Sequence, residues 1–288
     1  GVMTHSLHYG TAVFEGIRGN WNNEHQQIYI FRLKEHYERL LKGCRVLKID
    51  LPYSLDELCQ ITVELVKRCE FQEDAYIRPM AYKSSEALGV RLHDLEGDFL
   101  VFAIPWGRYL DVDKARCVVS SWRRPDNNVL TPQVKVTGIY VNNAMAKTEA
   151  IESGFDEAIM LTPNGYVSEG SGENIFLVID GKLVTPASYN SILLGITRQT
   201  VMALAKNELG IETIERNIDR SELYAAEECF LTGTAAHVTP VAEIDNRNIG
   251  NGEIGQIMGK LQEIYADVIR GNYPKYLNWC TPVYPEKS

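Results

Sequence analysis

The run of residues 161–186, LTPNGYVSEGSGENIFLVIDGKLVTP, constrains the fold of this chain more than any other part of its sequence. It contains two turn signals, Asn164-Gly165 and Asp180-Gly181, and such pairs supply the positive φ angles that tight hairpins need. The apolar segments that flank these turns are typical of strands and lie at 158–161, 175–179 and 183–184. The pattern predicts an antiparallel meander in the middle of the chain.

The segment between the two turns, Ser168 to Asn174, is polar and rich in glycine, which makes it poor strand material. Glycine in such a place marks a bulge or the close approach of another group, and an unpaired acid in a half-buried sheet is unfavourable. The segment is therefore either a long polar loop or a small-residue floor under a flat ligand. In the second interpretation, Glu169 faces a positive or protonated ring atom of that ligand.

The composition limits the class of protein. A chain of 288 residues with 45% hydrophobic and 23% charged residues is ordinary for a globular enzyme of one large or two medium domains. The net charge of −9 argues against a nucleic-acid surface. Apolar stretches of strand length argue against a membrane span, and the first residues lack the features of a signal peptide. We expect a cytoplasmic protein, and we expect that residues precede Gly1, because the chain begins inside a motif.

The six cysteines carry no CxxC spacing and no matching histidine pattern. In a cytoplasmic protein this distribution predicts reduced thiols, with neither disulfides nor a zinc site. We therefore expect no metal in the functional site.

Lys135 lies between two valines in residues 131–140, TPQVKVTGIY, which we interpret as a strand. A lysine in such a strand usually points to solvent. If it points inward instead, desolvation lowers its pKa and leaves a neutral amine that can attack a carbonyl carbon. Tyr140 is expected to begin the helix that runs to Gly154.

Three places in the sequence can hold an anion. Arg32 lies at the positive end of a helix that begins at Leu33, the segment 195–197 offers backbone N–H groups and a hydroxyl at a helix start, and the turn 232–236 is made of small residues. Ordinary capping or a surface position explains each of these features about as well. The three candidate anion sites indicate a cofactor only when they are considered together with a lysine and an acid.

Three further segments contain aromatic residues that can form part of a pocket. Residues 5–20 read as a wall with gaps, Tyr76 and Arg78 share one face of a strand, and residues 105–109, PWGRY, form a stiff aromatic connector. We place the domain boundary there. The predicted division is a small N-terminal α/β domain over 1–104, a connector over 105–116, and a large cofactor-binding domain over 117–288.

One lysine, one acid and several anion cradles suggest pyridoxal phosphate, which needs a lysine for covalent attachment, an acid for its ring nitrogen and a phosphate cup. The whole chain resembles the fold-type IV, class IV aminotransferases, and among them most closely the branched-chain amino acid aminotransferases. The motifs that carry this resemblance are HSLHYGTAVFEGIR, IFRLKEH, YIRP, PWGRY, SEGSGEN, GITR and GTAAHVTPV. The resemblance implies a mixed α/β (α+β) fold with a barrel-like sheet in the larger domain and the cofactor between the two domains.

The resemblance also implies roles for individual residues around the cofactor. Lys135 is similar to the Schiff-base lysine that carries the substrate's α-proton, Glu169 to the carboxylate that pairs with the pyridine nitrogen, and Tyr140 to the phenol that bonds the cofactor's phenolic oxygen. The residues that resemble the family's phosphate-binding positions are Arg32, Ile196, Thr197 and Thr234. The cofactor-binding set is completed by Leu193, Gly195 and Gly233.

For the substrates, the resemblance implies a pocket that accepts both an apolar side chain and a carboxylate. Arg78 would bind the side-chain carboxylate of glutamate, and the substrate's α-carboxylate would be bound by Tyr76, Thr234 and Ala235. The apolar pocket would be shaped by Phe14, Gly16, Trp106, Tyr109 and Tyr140. Tyr9 and Val90 match positions that reach the neighbouring subunit's pocket, so a homodimer, or a hexamer built from dimers, is implied.

The implied reaction is the exchange of an amino group between L-leucine, L-isoleucine or L-valine and 2-oxoglutarate. D-amino acid aminotransferase and aminodeoxychorismate lyase share the lysine and the glutamate, but the YIRP and GTAA motifs favour the branched-chain enzyme. A non-catalytic metabolite-binding homologue is the alternative of a different class, and a sheet protein without any cofactor is another. His237 stands where the family usually has an acid, and this change either has little effect or shifts the substrate range or the pH profile.

Overall fold

The computed structural model of this chain describes residues 1–107 and 112–285. Tyr109, one of the predicted pocket residues, lies outside the described residues. The helices are α1 (His5–Tyr9), α2 (Leu33–Val46), α3 (Leu55–Cys69), α4 (Tyr140–Glu152), α5 (Ile196–Leu209), α6 (Arg220–Ala225) and α7 (Gln256–Ile269), with short 3-10 helices at Thr137–Ile139 and Pro274–Trp279.

The strands form two sheets. They are β1 (Ala12–Phe14), β2 (Ile17–Asn22), β3 (Gln27–Phe31), β4 (Ala75–Lys83), β5 (Gly97–Pro105), β6 (Ala115–Arg123), β7 (Glu157–Leu161), β8 (Val167–Gly170), β9 (Asn174–Ile179), β10 (Lys182–Pro186), β11 (Thr213–Arg216), β12 (Glu228–Gly233), β13 (His237–Ile244), β14 (Arg247–Asn248) and β15 (Cys280–Pro282).

The chain divides into two compact units. The first contains Gly1–Gly107, Val134–Tyr140 and Asp267–Ser288, and the second contains Arg108–Gln133 and Val141–Ala266. Lys135 therefore belongs to the first unit, together with the N-terminal sheet. The domain division predicted from the sequence, with its connector over 105–116, stays a prediction.

The first unit is built on an antiparallel six-stranded sheet. Its strand order is β1-β4-β2-β3-β15, and β5 pairs with β4 at an edge. One face of this sheet packs against α2 and α3 around a core that includes Ile17, Ile28, Ile30, Ile77, Leu33, Tyr37, Leu40 and Leu58. The opposite face carries Tyr76 and Arg78 together with Leu100, Phe102 and Ile104.

The helix α3 begins with a complete N-terminal cap. Ser54 accepts a hydrogen bond from the backbone N–H of Glu57, and the Glu57 side chain accepts from the Ser54 backbone N–H, which is a complete capping box. Leu58, Thr62 and Val66 are the buried residues and recur at the spacing of one helical face. The helix thus covers the sheet because its apolar residues follow the 3.6-residue period.

The second unit is built on a mixed nine-stranded sheet with the order β11-β10-β9-β12-β13-β6-β7-β8, and β14 pairs with β13. The pairs β10–β11, β13–β6 and β6–β7 are parallel. Strand β8 lies at the end of this order, yet it also contacts β9 and β10, so the sheet curls back on itself. This curl confirms the barrel-like sheet expected for the second half of the chain, and the two sheets with their helices confirm the mixed α/β class.

The two predicted turns form hairpins, but their strands do not make one continuous meander, since within the described residues β8 pairs with β7, and β9 pairs with β10 and β12. Strands β7 and β8 pair across the Asn164-Gly165 turn, and β9 and β10 pair across the Asp180-Gly181 turn, where both turn residues have positive φ angles of 49° and 67°. The interpretation of Ser168–Asn174 as a long polar loop is wrong. Ser168, Glu169 and Gly170 extend β8 and Asn174 begins β9, because the side chains of this segment find buried hydrogen-bond partners that make a sheet position favourable.

The strand expected around Lys135 is also absent. Among the described residues, this segment forms one isolated bridge, between Val13 and Val136, before the 3-10 helix begins at Thr137. The backbone N–H of Val136 bonds the carbonyl of Val134 in a local turn and so leaves the ladder that a strand requires. Lys135 sits at the apex of this turn.

Candidate functional site

Lys135 is half-buried in the first unit and its side chain points to aromatic residues. Its Nζ atom donates a hydrogen bond to the hydroxyl oxygen of Tyr140 at 2.6 Å and lies 5.1 Å from the ring centre of Phe14 and 5.2 Å from that of Tyr140. The backbone carbonyl of Lys135 accepts from the N–H of Phe14 at 3.1 Å. The amine is therefore directed inward, and the interpretation that it points to solvent is excluded.

Phe14 connects Lys135 to Arg78. The two aromatic rings of Phe14 and Tyr140 meet edge to face with centres 4.8 Å apart, and the Arg78 guanidinium lies 4.6 Å above the Phe14 ring. Arg78 also donates from Nε and Nη2 to the Tyr76 hydroxyl at 3.1 and 2.6 Å. The result is a cation between two aromatic faces, close to an amine.

Gly16 lies beside the aromatic residues Phe14 and Tyr76, which we call the aromatic wall. A side chain at this position would collide with Tyr76. A Cβ atom at Gly16 would lie 2.5 Å from the hydroxyl of Tyr76. The ring of Tyr76 is in turn 5.1 Å from that of Trp106, whose backbone N–H bonds the carbonyl of Asp74 at 3.0 Å. The structure thus brings Phe14, Gly16, Tyr76, Arg78, Trp106, Lys135 and Tyr140 together in the first unit.

Arg32 occupies the position before the first residue of α2, in a left-handed conformation with φ of 50°. Its Nε donates to Glu35 at 2.7 Å, and its guanidinium lies 5.2 Å from the Trp279 ring centre. The positive end of the helix and the arginine fork are therefore placed together, which suits a phosphate.

Tyr9 and Val90 lie at the surface of the first unit. The Tyr9 hydroxyl accepts a hydrogen bond from the backbone N–H of Gly89 at 3.1 Å, and Val90, the next residue, is 93% exposed. Tyr9 and Val90 therefore lie in one surface patch, where contact with another molecule is sterically possible.

Glu169 is buried in the second unit, and its carboxylate has partners on both oxygens. Arg124 Nη2 lies 2.7 Å from Oε1, while Asn174 Nδ2 and the backbone N–H of Leu193 donate to Oε2 at 2.9 and 3.0 Å. These charge-assisted bonds compensate for the burial of an ionised acid. Glu169 is therefore a fixed negative charge in a largely dry environment.

The arrangement around Glu169 extends into a network. Asn174 donates a second bond to the carbonyl of Leu193 at 2.8 Å, and Asn143 accepts from Arg124 Nη1 at 2.5 Å and donates to the carbonyl of Ser171 at 2.6 Å. Each of these side chains is buried. Buried polar groups that are all satisfied in this way hold one geometry.

The start of α5 lies beside this network. Gly195 precedes the first helical residue, and no side chain among the described residues caps it. A Cβ atom at Gly195 would lie 2.1 Å from Asn174 Oδ1, so the close approach requires glycine. Ile196 and Thr197 are the first two residues of α5, where backbone N–H groups and the helix dipole favour an anion.

The turn after β12 places Gly233, Thr234 and Ala235 in half-buried positions. Thr232 pairs with Asn174 across β12 and β9, so the two side chains lie on one face of the sheet. Thr232 is 1% exposed, and its hydroxyl has no hydrogen-bond partner within the described parts of the chain. A buried hydroxyl without a partner on the face that carries Asn174 fits a polar ligand.

Glu173 is a second buried acid in the same segment. Burial raises its pKa to about 8, and the negative charge of Glu157 adds to this rise. The backbone N–H of Gly172 donates to its Oε2 at 3.1 Å. Burial therefore favours the protonated form of Glu173 at neutral pH.

His237 lies at the first position of β13, opposite Gly233, with a positive φ of 56°. Its ring centre is 5.9 Å from that of Tyr265. The histidine is thus placed at the end of the turn that carries Thr234 and Ala235.

Comparisons with known proteins agree with one another. The model of the family described as amino-transferase class IV matches residues 12–244. A protein from Aquifex aeolicus named "Probable branched-chain-amino-acid aminotransferase" is 55% identical over 284 residues, which cover 98% of this chain and 91% of that protein. This chain belongs to the class IV aminotransferases.

Solved structures of this family superpose on the chain. The crystal structure of branched-chain aminotransferase from Thermoproteus uzoniensis with norvaline has a TM-score of 0.94 and 47% identity, and covers 99% of this chain and 94% of its own. That of branched-chain amino acid aminotransferase from Thermobaculum terrenum in its PLP form has a TM-score of 0.94 and 39% identity, covering 99% of this chain and 93% of its own. The fold-type IV class expected from the sequence is thereby confirmed.

The sequence of this class IV aminotransferase did not reveal several residues that hold Glu169. Arg124, Asn143 and Asn174 were missed, although all three are buried and bonded in the network. Asn174 could have been found as the last residue of the polar segment that carries Glu169. Arg124 and Asn143 lie far from that segment in sequence and carry no local signal.

Proposed function

We propose that this chain is a pyridoxal 5'-phosphate-dependent aminotransferase that exchanges amino groups between branched-chain L-amino acids and 2-oxoglutarate. The products are branched 2-oxo acids and L-glutamate. Membership of the class IV family and the names of the full-length relatives support the reaction. The solved neighbours in a pyridoxal-phosphate form or with its derivatives support the cofactor.

The observation that carries the proposal is the position of the Lys135 amine. It is directed inward, bonded to the Tyr140 hydroxyl and placed over two aromatic rings rather than in solvent. A lysine held in this way can bond covalently to the carbonyl carbon of a bound cofactor. We assign Lys135 as the catalytic residue and Tyr140 as its partner.

The other described groups fit pyridoxal phosphate. Glu169 is a fixed, buried negative charge, which is what a protonated pyridine nitrogen requires. Uncapped N–H groups at the start of α5 suit a phosphate. We assign the remaining cofactor contacts to Arg32, Leu193, Gly195, Ile196, Thr197, Gly233 and Thr234.

When bound, pyridoxal phosphate supplies an electron sink that makes the α-proton of an amino acid acidic. Lys135 Nζ removes this proton from the substrate's Cα and returns a proton later in the exchange. The Tyr140 hydroxyl orients the amine for these steps. The Arg124 guanidinium fixes the orientation of the Glu169 carboxylate, and its positive charge compensates the buried negative charge.

The substrate pocket must accept an apolar side chain and a carboxylate in turn. Phe14 and Trp106 offer aromatic surfaces for the branched side chains, and Arg78 offers a cation for the side-chain carboxylate of glutamate. Because the Arg78 guanidinium lies 4.6 Å from the ring centre of Phe14 and 5.1 Å from that of Tyr76, the two rings partly compensate its charge when an apolar substrate binds. We further assign substrate contacts to Gly16, Tyr76, Tyr109, Tyr140, Thr234 and Ala235, and to Tyr9 and Val90 of a neighbouring subunit.

We propose that the working unit is at least a homodimer, with a hexamer built from dimers as the larger alternative. Strand β5 lies at a sheet edge and leaves Leu100, Phe102 and Ile104 partly exposed on one face. Exposed apolar residues in a row mark interaction surfaces. Light scattering on the purified protein tests this, and a monomer that is fully active would contradict it.

The partners of the chain are small molecules, and none of the helices within the described ranges is long and apolar enough to span a membrane. All six cysteines are free thiols. A cytoplasmic location stays our proposal, supported by this thiol chemistry.

A substrate panel tests the proposed function. Purified protein with pyridoxal phosphate is assayed with L-leucine, L-isoleucine, L-valine and D-alanine, each with 2-oxoglutarate. We expect glutamate from the three branched L-amino acids and none from D-alanine. Activity confined to D-alanine would point to the D-amino acid enzyme, and binding without any turnover to a non-catalytic homologue.

A further inference from the structure

Glu15 is a carboxylate in a position where the strand pattern requires an apolar residue. It lies between β1 and β2, two residues from Val13 and two from Ile17, both of which are part of the core that faces α2. Its own side chain is 0% exposed. A charge placed there is costly unless it is paired and hydrogen-bonded.

The partners of Glu15 all come from α2. Arg39 donates from Nε to Oε1 and from Nη2 to Oε2, both at 2.7 Å, and His36 Nδ1 donates to Oε2 at 2.8 Å. Burial alone would raise the pKa of Glu15, but the charge and bonds of Arg39 and His36 bring it to about 2. Burial lowers the pKa of His36, so the neutral ring donates its Nδ1–H to an ionised carboxylate.

Such a triad is a poor way to gain stability. Apolar residues of similar volume often replace a buried ion pair without loss, whereas the removal of one partner leaves a buried charge and is destabilising. What the triad offers over apolar packing is direction, because a bidentate arginine fixes both oxygens of the carboxylate. The triad of Glu15, His36 and Arg39 therefore serves to fix the position of the Glu15 backbone relative to α2.

The hydrogen-bond ladder between the N-terminal strands and β4 is interrupted at Glu15. Glu15 donates its backbone N–H to the carbonyl of Pro79, and proline has no N–H to return the bond. The ladder with β4 is interrupted there, so β1 ends at Phe14 and β2 begins at Ile17. The side chain of Glu15 connects the strand to α2 at this break.

Functional residues lie at both ends of this connection. Phe14 bonds the carbonyl of Lys135 and lies against Tyr140, and Gly16 leaves room for the Tyr76 hydroxyl. On the helix side, the backbone N–H of His36 bonds the carbonyl of Arg32 at 3.2 Å, so His36 is one turn from Arg32. One buried carboxylate thus joins the aromatic wall to the helix start.

We propose that Glu15 is a positioning residue for the transamination reaction. Its bonds to His36 and Arg39 set Phe14 and Gly16 relative to the first turn of α2, and thereby govern how the substrate is bound, without contact between Glu15 and the substrate. This inference rests on the proposed function for the roles of Phe14 and Arg32.

The decisive experiment distinguishes an effect of Glu15 on substrate binding from an effect on protein stability. The holoenzyme is compared with Glu15→Gln and with the apolar triple variant Glu15→Met/His36→Leu/Arg39→Met, by KM and kcat for L-leucine, by the cofactor's absorbance and by melting temperature. We expect Glu15→Gln to lower the melting temperature and to raise KM about tenfold. The triple variant is expected to melt within about 3 °C of wild type but to keep the raised KM.

A triple variant with wild-type stability and wild-type KM would overturn the proposal, since the triad would then be structural alone. If the triple variant does not fold, Arg39→Lys decides, because it keeps the charge but loses the fork. A KM raised about fivefold supports positioning, and an unchanged KM overturns it.

The matched control is Glu64→Gln, which removes an exposed carboxylate that bonds Arg68 Nε at 2.7 Å in α3. It is expected to leave KM unchanged. Turnover of L-leucine by the wild-type enzyme tests the proposed function separately, so that a failure there is distinguishable from a failure of Glu15 to act on KM.

Discussion

Lys135 and Glu169, the two charged groups assigned to the cofactor, are held by their surroundings in different ways. The Lys135 amine donates to one phenol oxygen and otherwise lies over aromatic faces. The Glu169 carboxylate accepts from a guanidinium, an amide and a backbone N–H, all of which belong to a buried network. The Lys135 amine can therefore change its position by breaking one hydrogen bond, whereas the Glu169 carboxylate would have to break these three contacts.

The surrounding backbone agrees with this difference. Lys135 lies in a local turn outside any strand, and its amine donates one hydrogen bond within the described residues, to Tyr140. Glu169 lies in β8, in register with Met160 of β7. A group that attacks and then carries a proton needs freedom, whereas a group that stabilises charge works best when it is already oriented.

The largest effect is expected from the loss of the amine. Lys135→Ala removes both the covalent attachment and the proton carrier, and should lower kcat by about 10⁴-fold or more. Steady-state assays with L-leucine and 2-oxoglutarate measure it. The matched control is Lys182→Ala, at the exposed first position of β10, which should retain full activity.

A smaller effect is expected from Glu169→Gln. The amide keeps the shape, but its NH₂ group replaces one of the two oxygens and so faces either the Arg124 guanidinium or the donors of Asn174 and Leu193. The negative charge is lost as well. We expect kcat to fall by about 10²-fold, together with a changed absorbance of the bound cofactor. A variant with wild-type kcat and spectrum would show that this carboxylate does not act on the cofactor.

Tyr140→Phe should have a smaller effect still. It removes the hydroxyl that accepts from Lys135 Nζ but keeps the ring against Phe14. If the Lys135 amine changes its position during the reaction, the loss of this one hydrogen bond should lower kcat by about tenfold. It should leave KM for L-leucine within about twofold of wild type. A loss as large as that of Lys135→Ala would contradict a loosely held amine.

The smallest expected effect concerns stability rather than turnover. Burial raises the pKa of Glu173 to about 8, above its ordinary value of 4.5, so the protonated acid favours the folded state. This contribution is complete below pH 4.5 and is lost as the pH rises toward 8, with a slope that approaches about 1.4 kcal/mol per pH unit. Glu173→Gln, which cannot ionise, should therefore lose less unfolding free energy than wild type between about pH 5 and pH 8.

Urea denaturation at several pH values measures this difference. Equal pH dependence in the two proteins would mean that Glu173 is ionised in the folded state, like Glu169. The comparison is useful because the two acids lie four residues apart and only one has an arginine partner among the described residues.

The sequence predicted the parts of the molecule that depend on local patterns. The turn at Asp180-Gly181 and the helix start at Gly195 form as expected, because the residues that specify them are adjacent in the chain. The local sequence leaves the polar segment around Glu169 open between a loop and a floor under a ligand, since its partners Arg124 and Leu193 come from distant segments. Lys135 was expected in a strand, and valines on both sides do suggest one, but a local turn takes the N–H that the ladder needs.

The most direct test of the account is the identification of the lysine that bonds the cofactor. The purified holoenzyme is treated with borohydride, which fixes the cofactor on its lysine, and is then digested and analysed by mass spectrometry. We predict that the added phosphopyridoxyl mass is found on Lys135 and disappears when L-leucine is added before the reductant. The same mass on another lysine, or none on Lys135 in an enzyme that is active, would contradict the account.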